Sequence, residues 1–349
     1  MTNATYVYAG AMTTKDGGIG GLYRRAATDP AWQRMTDGLP DTNVRAITVD
    51  PSNPATVLIG TDHGPFRSHD RGATWHRMGF PDDDRQIWSI AFDPHNPATV
   101  YAGACPVGVY RSEDHGDTWH RLPDPVLPAR VKMPFACRVM RIAVNPAKSG
   151  DLYAALEVGG VIHSRDGGET WQDRTDDLVR LAELPHLKSR IVSDTDIEGM
   201  LDGHALCLTE ADPGAVLLAV RMGIFRSTDE GTRWNDLNIG RFSPVTYARD
   251  IRVSPQDPAT LYACLSVAAA SQFGALYRSR DAGKHWVRVD GMVTARSTMM
   301  GVALHPTDTK QVYTVARRGQ SFATRDGGVE WTETPLPPTA KDLYAIACG

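Results

Sequence analysis

The 349-residue chain has no run of apolar residues long enough to span a bilayer, which excludes a helical membrane protein. It has no excess of one charge either: the net charge is −4 and neither sign gathers into long blocks, which excludes a nucleic-acid or membrane-surface partner. The five cysteines, Cys105, Cys137, Cys207, Cys264 and Cys348, are odd in number and lack CxxC spacing. A disulfide scaffold and a thiolate metal site are therefore not expected; each cysteine lies in or beside an apolar strand, as a buried thiol would. Residues Met1 to Tyr8 carry no basic segment followed by an apolar one, so no signal peptide is read and a reducing cytoplasm is expected. There is also no long stretch of helical periodicity. Short β-rich runs broken by Pro, Gly and Asp take its place.

What the chain has is a repeat. The octet Ser-x-Asp-x-Gly-x-Thr-Trp occurs in full at Ser68 to Trp75, Ser112 to Trp119 and Ser164 to Trp171. Weaker copies run Ser227 to Trp234, Ser279 to Trp286 and Thr324 to Trp331, and a worn one lies at Ala26 to Trp32. Its chemistry is that of a tight turn: the hydroxyl and carboxylate accept backbone N–H groups, Gly supplies a positive φ, and Trp opens the next strand with a large buried ring. Around each octet lie an apolar strand ending in Asp-Pro or a relative (Arg45 to Pro51, Trp88 to Pro94, Arg141 to Pro146), a second strand after an Asn-Pro-Ala-Thr-like turn, a third running into the octet and a fourth leaving it. Four antiparallel strands per repeat make a propeller blade.

Residues 5 to 35 lack a first strand, and Asp342 to Cys348 is a first strand with nothing after it. Joined, they complete a blade, so the expected fold is all-β: a single seven-bladed β-propeller over residues 1–349, closed by pairing of the N- and C-terminal strands. Strand alternation puts every octet on one face of the disc. The other face carries loops of varying length: Met12 to Gly21, Leu122 to Cys137, Thr175 to Gly203 and Val267 to Gly274. Variable loops on a rigid scaffold are where binding and catalysis reside.

The octet resembles the Asp-box, or BNR repeat, of sialidases, xyloglucanases, sortilin-type receptors and photosystem assembly propellers. In that superfamily the box is a folding element remote from the active site, which implies a structural role for Asp70, Asp114, Asp166, Asp229, Asp281 and Asp326. The resemblance chooses poorly among functions. Sialidases have six blades and an Arg-Ile-Pro motif absent here; xyloglucanases cleave between two tandem propellers with an Asp from each, and this chain has one. The disulfide-rich tail of sortilin-type receptors and the targeting signal of the photosystem factors are also missing.

The site is therefore sought at the channel mouth on the variable face. Arg45, Trp88, Arg141, Arg221, Tyr247, Arg249, Arg317 and Tyr344 form an expected ligand-binding set for a sugar or small anionic molecule, with Trp88 the stacking candidate. The insertion at about 175–203 reads as a lid, with Asp194, Asp196 and Glu198 at alternate positions of an extended segment. Asp194 or Asp196 with Glu157 or Asp62 gives an expected acid/base pair for glycoside cleavage. The competing reading is that the arginines pair with Asp62, Glu157, Asp250 and Asp342 and tie blades together. No cofactor is required; His63 and His204, with Glu157, are ligand types for a divalent metal or iron at the mouth. The leading expectation is a glycoside-hydrolase-like enzyme acting on an oligosaccharide or small polar ligand. The alternatives are a non-catalytic platform for a protein partner and a metal-dependent enzyme.

Overall fold

The computed structural model describes residues 4–349. Within them lie seven sheets of four antiparallel strands each. The inner strands are Val44–Val49, Gln86–Phe92, Val139–Val144, Gly203–Leu208, Tyr247–Ser254, Met299–Leu304 and Leu343–Cys348, here numbered as blades one to seven. Each contacts the next and the seventh contacts the first, so the ring is closed. Closure runs through blade seven, where Leu343–Cys348 pairs with Tyr6–Ala11 and the Gly349 N–H donates to the Tyr6 carbonyl at 3.1 Å. No helix is long and apolar enough to cross a membrane among the described residues.

The six octets share a turn in which the Ser or Thr hydroxyl donates to the Asp carboxylate and accepts the Gly N–H. In blade two, Ser112 Oγ donates to Asp114 and accepts the Gly116 N–H at 2.7 Å. Asp114 also accepts the Thr118 N–H at 2.8 Å and its hydroxyl at 2.6 Å, while Trp119 Nε1 donates to the Gly116 carbonyl at 3.0 Å. The His115 N–H donates to the Ala98 carbonyl of the first-to-second turn, and four other blades repeat that bond, so octets and Asp-Pro turns share one face.

Every inner strand breaks register with its neighbour at the same place. An extra residue is inserted in all seven: Arg45, Trp88, Met140, His204, Arg249, Met300 and Tyr344. A β-bulge re-aims its side chain and shifts the alternation that follows. Two residues past each bulge an aliphatic side chain packs between blades: Ile47, Ile90, Ile142, Leu206, Ile251, Val302 and Ile346, one in each of the seven hydrophobic clusters. One residue past the bulge, Ser89 Oγ accepts the Ile142 N–H of the following blade at 2.8 Å, and Asp250 accepts that of Val302 at 3.2 Å.

The insertion is not the extended segment through Glu198 expected from the sequence. It contains the helices Asp176–Leu181 and Glu198–Leu201, and Leu178, Leu181, Leu187, Met200 and Leu201 are buried in the cluster of blades three and four. Asp194 and Asp196 are exposed whereas Glu198, at 0% exposure, is buried, so the three carboxylates do not point the same way. The helical turn at Glu198 breaks the alternation that an extended segment would have kept.

Candidate functional site

The seven bulged residues converge on the axis and line a cavity of about 60 Å³ that forms the waist of the channel. Two of the seven are arginines, three are aromatic or imidazole rings and two are methionines. Trp88, 6% exposed, has two guanidiniums over its ring, Arg45 at 4.7 Å and Arg138 at 4.3 Å. Its edge meets Tyr344 at 5.9 Å, and Tyr344 in turn faces Arg249 at 5.5 Å and Arg317 at 5.8 Å. Such stacking over ring faces suits the weakly hydrated guanidinium and holds each ring rigid. Buried beneath two guanidiniums, Trp88 is not an open surface for a sugar, which corrects its expected stacking role; Tyr344 is the part-exposed ring.

Most of the arginines named from the sequence are ion-paired. Arg45 bonds Asp62, which also accepts the Asn43 side-chain amide at 2.6 Å. Arg138 pairs with Glu157, and Arg317 with Asp342 at 2.6 Å. Arg221 reaches Glu198 at 3.0 Å and Asp202 at 2.8 Å, which fastens the insertion to blade four. Arg141 lies on the octet side of the ring and pairs with Asp250 at 2.9 Å. Arg249 differs: no carboxylate or carbonyl of the described residues bonds its guanidinium, which lies over the Tyr344 ring and within the electrostatic reach of Glu157 and Asp202.

His204 is oriented by its neighbours. Nδ1 donates to the Ala248 carbonyl at 2.7 Å, leaving Nε2 toward Tyr247 Oη and Asp202 Oδ2, both at 3.3 Å. Asp202 Oδ1 is buried without a hydrogen-bond partner. Burial raises the Glu157 carboxyl above the usual range despite Arg138. Asp202 is driven the other way: burial opposes its charge, but His204 and Arg221 hold it well below the carboxylate norm.

The expected catalytic set does not assemble. Asp62 is committed to Arg45 and Asn43, while Asp194 and Asp196 lie on the outer loop with no bond to the funnel wall, Asp196 facing Arg190 at 4.0 Å. His63 and His204 sit in blades one and four, not on neighbouring elements; His63 is exposed and bonds Asp84 at 3.0 Å. Among the described residues no three His, Cys, Asp or Glu side chains are arranged to hold a metal ion. The six octet aspartates lie in their turns. The sequence reading missed Met140 and Met300, although each ring residue stands five before the residue that ends its inner strand or opens the turn, from Arg45 before Asp50 to Tyr344 before Gly349. Aligning the seven strands on that residue would have found both.

No protein-family model matches the chain. Xyloglucanase Xgh74A of Acetivibrio thermocellus is 26% identical over 242 residues, covering 58% of this chain and 27% of that enzyme. The GH74 xyloglucanase of Xanthomonas campestris is similar in structure with a TM-score of 0.65 at 20% identity, over 94% of this chain and 52% of that one. The chain thus spans about half or less of the length of these xyloglucanases. A YCF48 structure with bound D1 peptide is similar with a TM-score of 0.53 at 14% identity, over 84% of this chain and 82% of that one. The fold is that of the seven-bladed propellers found in GH74 xyloglucanases and YCF48.

Proposed function

We propose that the variable-face funnel binds a small polar ligand carrying a carboxylate and hydroxyl groups, an acidic sugar by chemistry, and that the protein acts as a binding propeller. One observation carries this reading: Arg249, at the waist, has a guanidinium without a bonded partner while the unpaired Asp202 Oδ1 lies in the same electrostatic cluster. A carboxylate matches the planar fork of Arg249, and a hydroxyl supplies the hydrogen that Asp202 lacks. The fold relatives include a propeller with a bound peptide as well as glycosidases, which agrees with binding as the common use.

Calorimetry with glucuronate and glucose tests the proposal. Glucuronate binds, glucose binds at least tenfold more weakly, and Arg249→Gln removes the difference. Equal affinity for the two sugars, or an unchanged Arg249→Gln, overturns it.

A second reading is glycoside hydrolysis, favoured by the opposed titration of Glu157 and Asp202, which leaves one carboxyl able to hold a proton beside one that stays ionised. Turnover of chromogenic glycosides that disappears in Glu157→Gln supports it; no turnover by the unmodified protein removes it.

A further inference from the structure

The channel continues past the ring. On the octet side it widens into two lobes of about 540 and 250 Å³. The lining of the larger is mixed: Ile90, Phe92, Val144, Leu208 and Val253 supply apolar side chains, and Thr48, Thr209 and Arg141 supply polar ones. Prolines of the first-to-second turns make its rim, and the exposed Glu210 lies there too. This is the size and character of a pocket for a small organic ligand.

The charge at its base is unbalanced. Arg141 of blade three and Arg252 of blade five converge on a single carboxylate, Asp250, with contacts of 2.9 and 3.3 Å. Asp250 is otherwise used by the backbone, accepting the N–H groups of Ile251 at 3.0 Å and Val302 at 3.2 Å. Two guanidiniums thus share one negative charge. Arg252 bonds Asp250 through Nε, and its two terminal nitrogens have no protein acceptor among the described residues. Its side chain, 38% exposed, lines the ring cavity and both lobes and so stands where they meet. Arg141 Nε is buried without a partner. The crowding is felt by Arg141, whose pKa burial and the Arg252 charge pull down to about 10. The other acid of the lobes, Asp50, is turned inward to accept from Ser52 and does not offset the excess.

We propose that the octet-side lobe is a second binding site, for a small amphiphile with an apolar body and one carboxylate head, the head seated on the free nitrogens of Arg252 beside Arg141. A monoanion restores neutrality at the base, and the apolar side chains of the lining gain from covering hydrocarbon that would otherwise face water. Because the ring lies between the two sites, this ligand and that of the funnel occupy different space, and neither has to leave for the other to bind.

Calorimetry with decanoate, kept below its micellar concentration, tests the site, with decanol as the uncharged control. Decanoate binds with one-to-one stoichiometry, decanol at least tenfold more weakly, and Arg252→Gln lowers decanoate affinity at least tenfold while its melting curve shows a folded protein. Ala143→Phe, which fills the lobe without touching a charge, also abolishes binding, and excess glucuronate does not displace decanoate. Equal binding of decanol, unchanged affinity in Arg252→Gln or in Ala143→Phe, or displacement by glucuronate each overturns the proposal. Failure here leaves the funnel reading intact, since that reading is scored on glucuronate and Arg249 alone.

Discussion

Glu198 is a fully buried carboxylate whose charge is matched by the backbone N–H groups of Ile191, Val192 and Ser193, the Ser193 hydroxyl and Arg221. Burial works against the charge, but these donors pull its pKa from 4.5 down to about 2. A depressed folded pKa adds stability above the unfolded value and loses it as pH falls through the folded one. The packing of the insertion should therefore weaken between about pH 4.5 and pH 2. Glu198→Gln should cost about 3 kcal/mol by denaturant unfolding near neutral pH and flatten that acid limb. Glu157 shifts oppositely, raised by burial, so its protonation as pH falls removes a negative charge beside Arg249. Glucuronate should bind more tightly as pH drops toward the mildly acidic range, and Glu157→Gln should bind with no such dependence. Five of the seven ring residues were readable as chemistry-bearing side chains on inner strands. Met140 and Met300 were not, because an apolar residue in an apolar strand carries no chemical signal of its own; only its position five before the strand-ending residue, read across all seven strands, marks it.

Among the elements, the octets and the Asp-Pro turns were legible because fixed polar spacing writes their hydrogen bonds directly. What stayed hidden was backbone: the residue before the octet Gly is also left-handed in four copies whose residue is not Gly, with φ of 56° at Arg71, 60° at His115, 58° at Glu230 and 54° at Ala282. The bulges were hidden for a similar reason, since one inserted residue leaves the apolar pattern almost unchanged. Octet strength should follow bond count. Asp114 accepts from Ser112, the Thr118 N–H and the Thr118 hydroxyl, whereas Asp229 accepts from Ser227 and the Arg233 N–H only. Asp114→Ala should therefore destabilise by about 1 kcal/mol more than Asp229→Ala in chemical unfolding. Blade contacts have their own tight points. A Cβ on Gly60 would lie 2.6 Å from the Ile87 carbonyl oxygen of the next blade, so Gly60→Ala should cost about 1–3 kcal/mol by forcing the sheets apart.

The whole molecule depends on a sheet that the chain builds from both ends. Removing residues 343–349 would take away the inner strand of blade seven, uncover the edge of Tyr6–Ala11 and delete Tyr344 from the ring. Such a protein should melt earlier and associate through the bared edge, measurable as a lowered midpoint and a larger species in size-exclusion chromatography. Seven blades and their closure could be counted in the sequence because incomplete first and last repeats complement each other. The contents of the channel could not, since they depend on seven distant strands meeting on one axis. The inserted residue of each inner strand stands outside the pairing ladder, so the ladder itself does not dictate its identity. The aperture is in effect a seven-letter word held in a fixed frame, and respelling it would yield propellers of the same shape with altered selectivity.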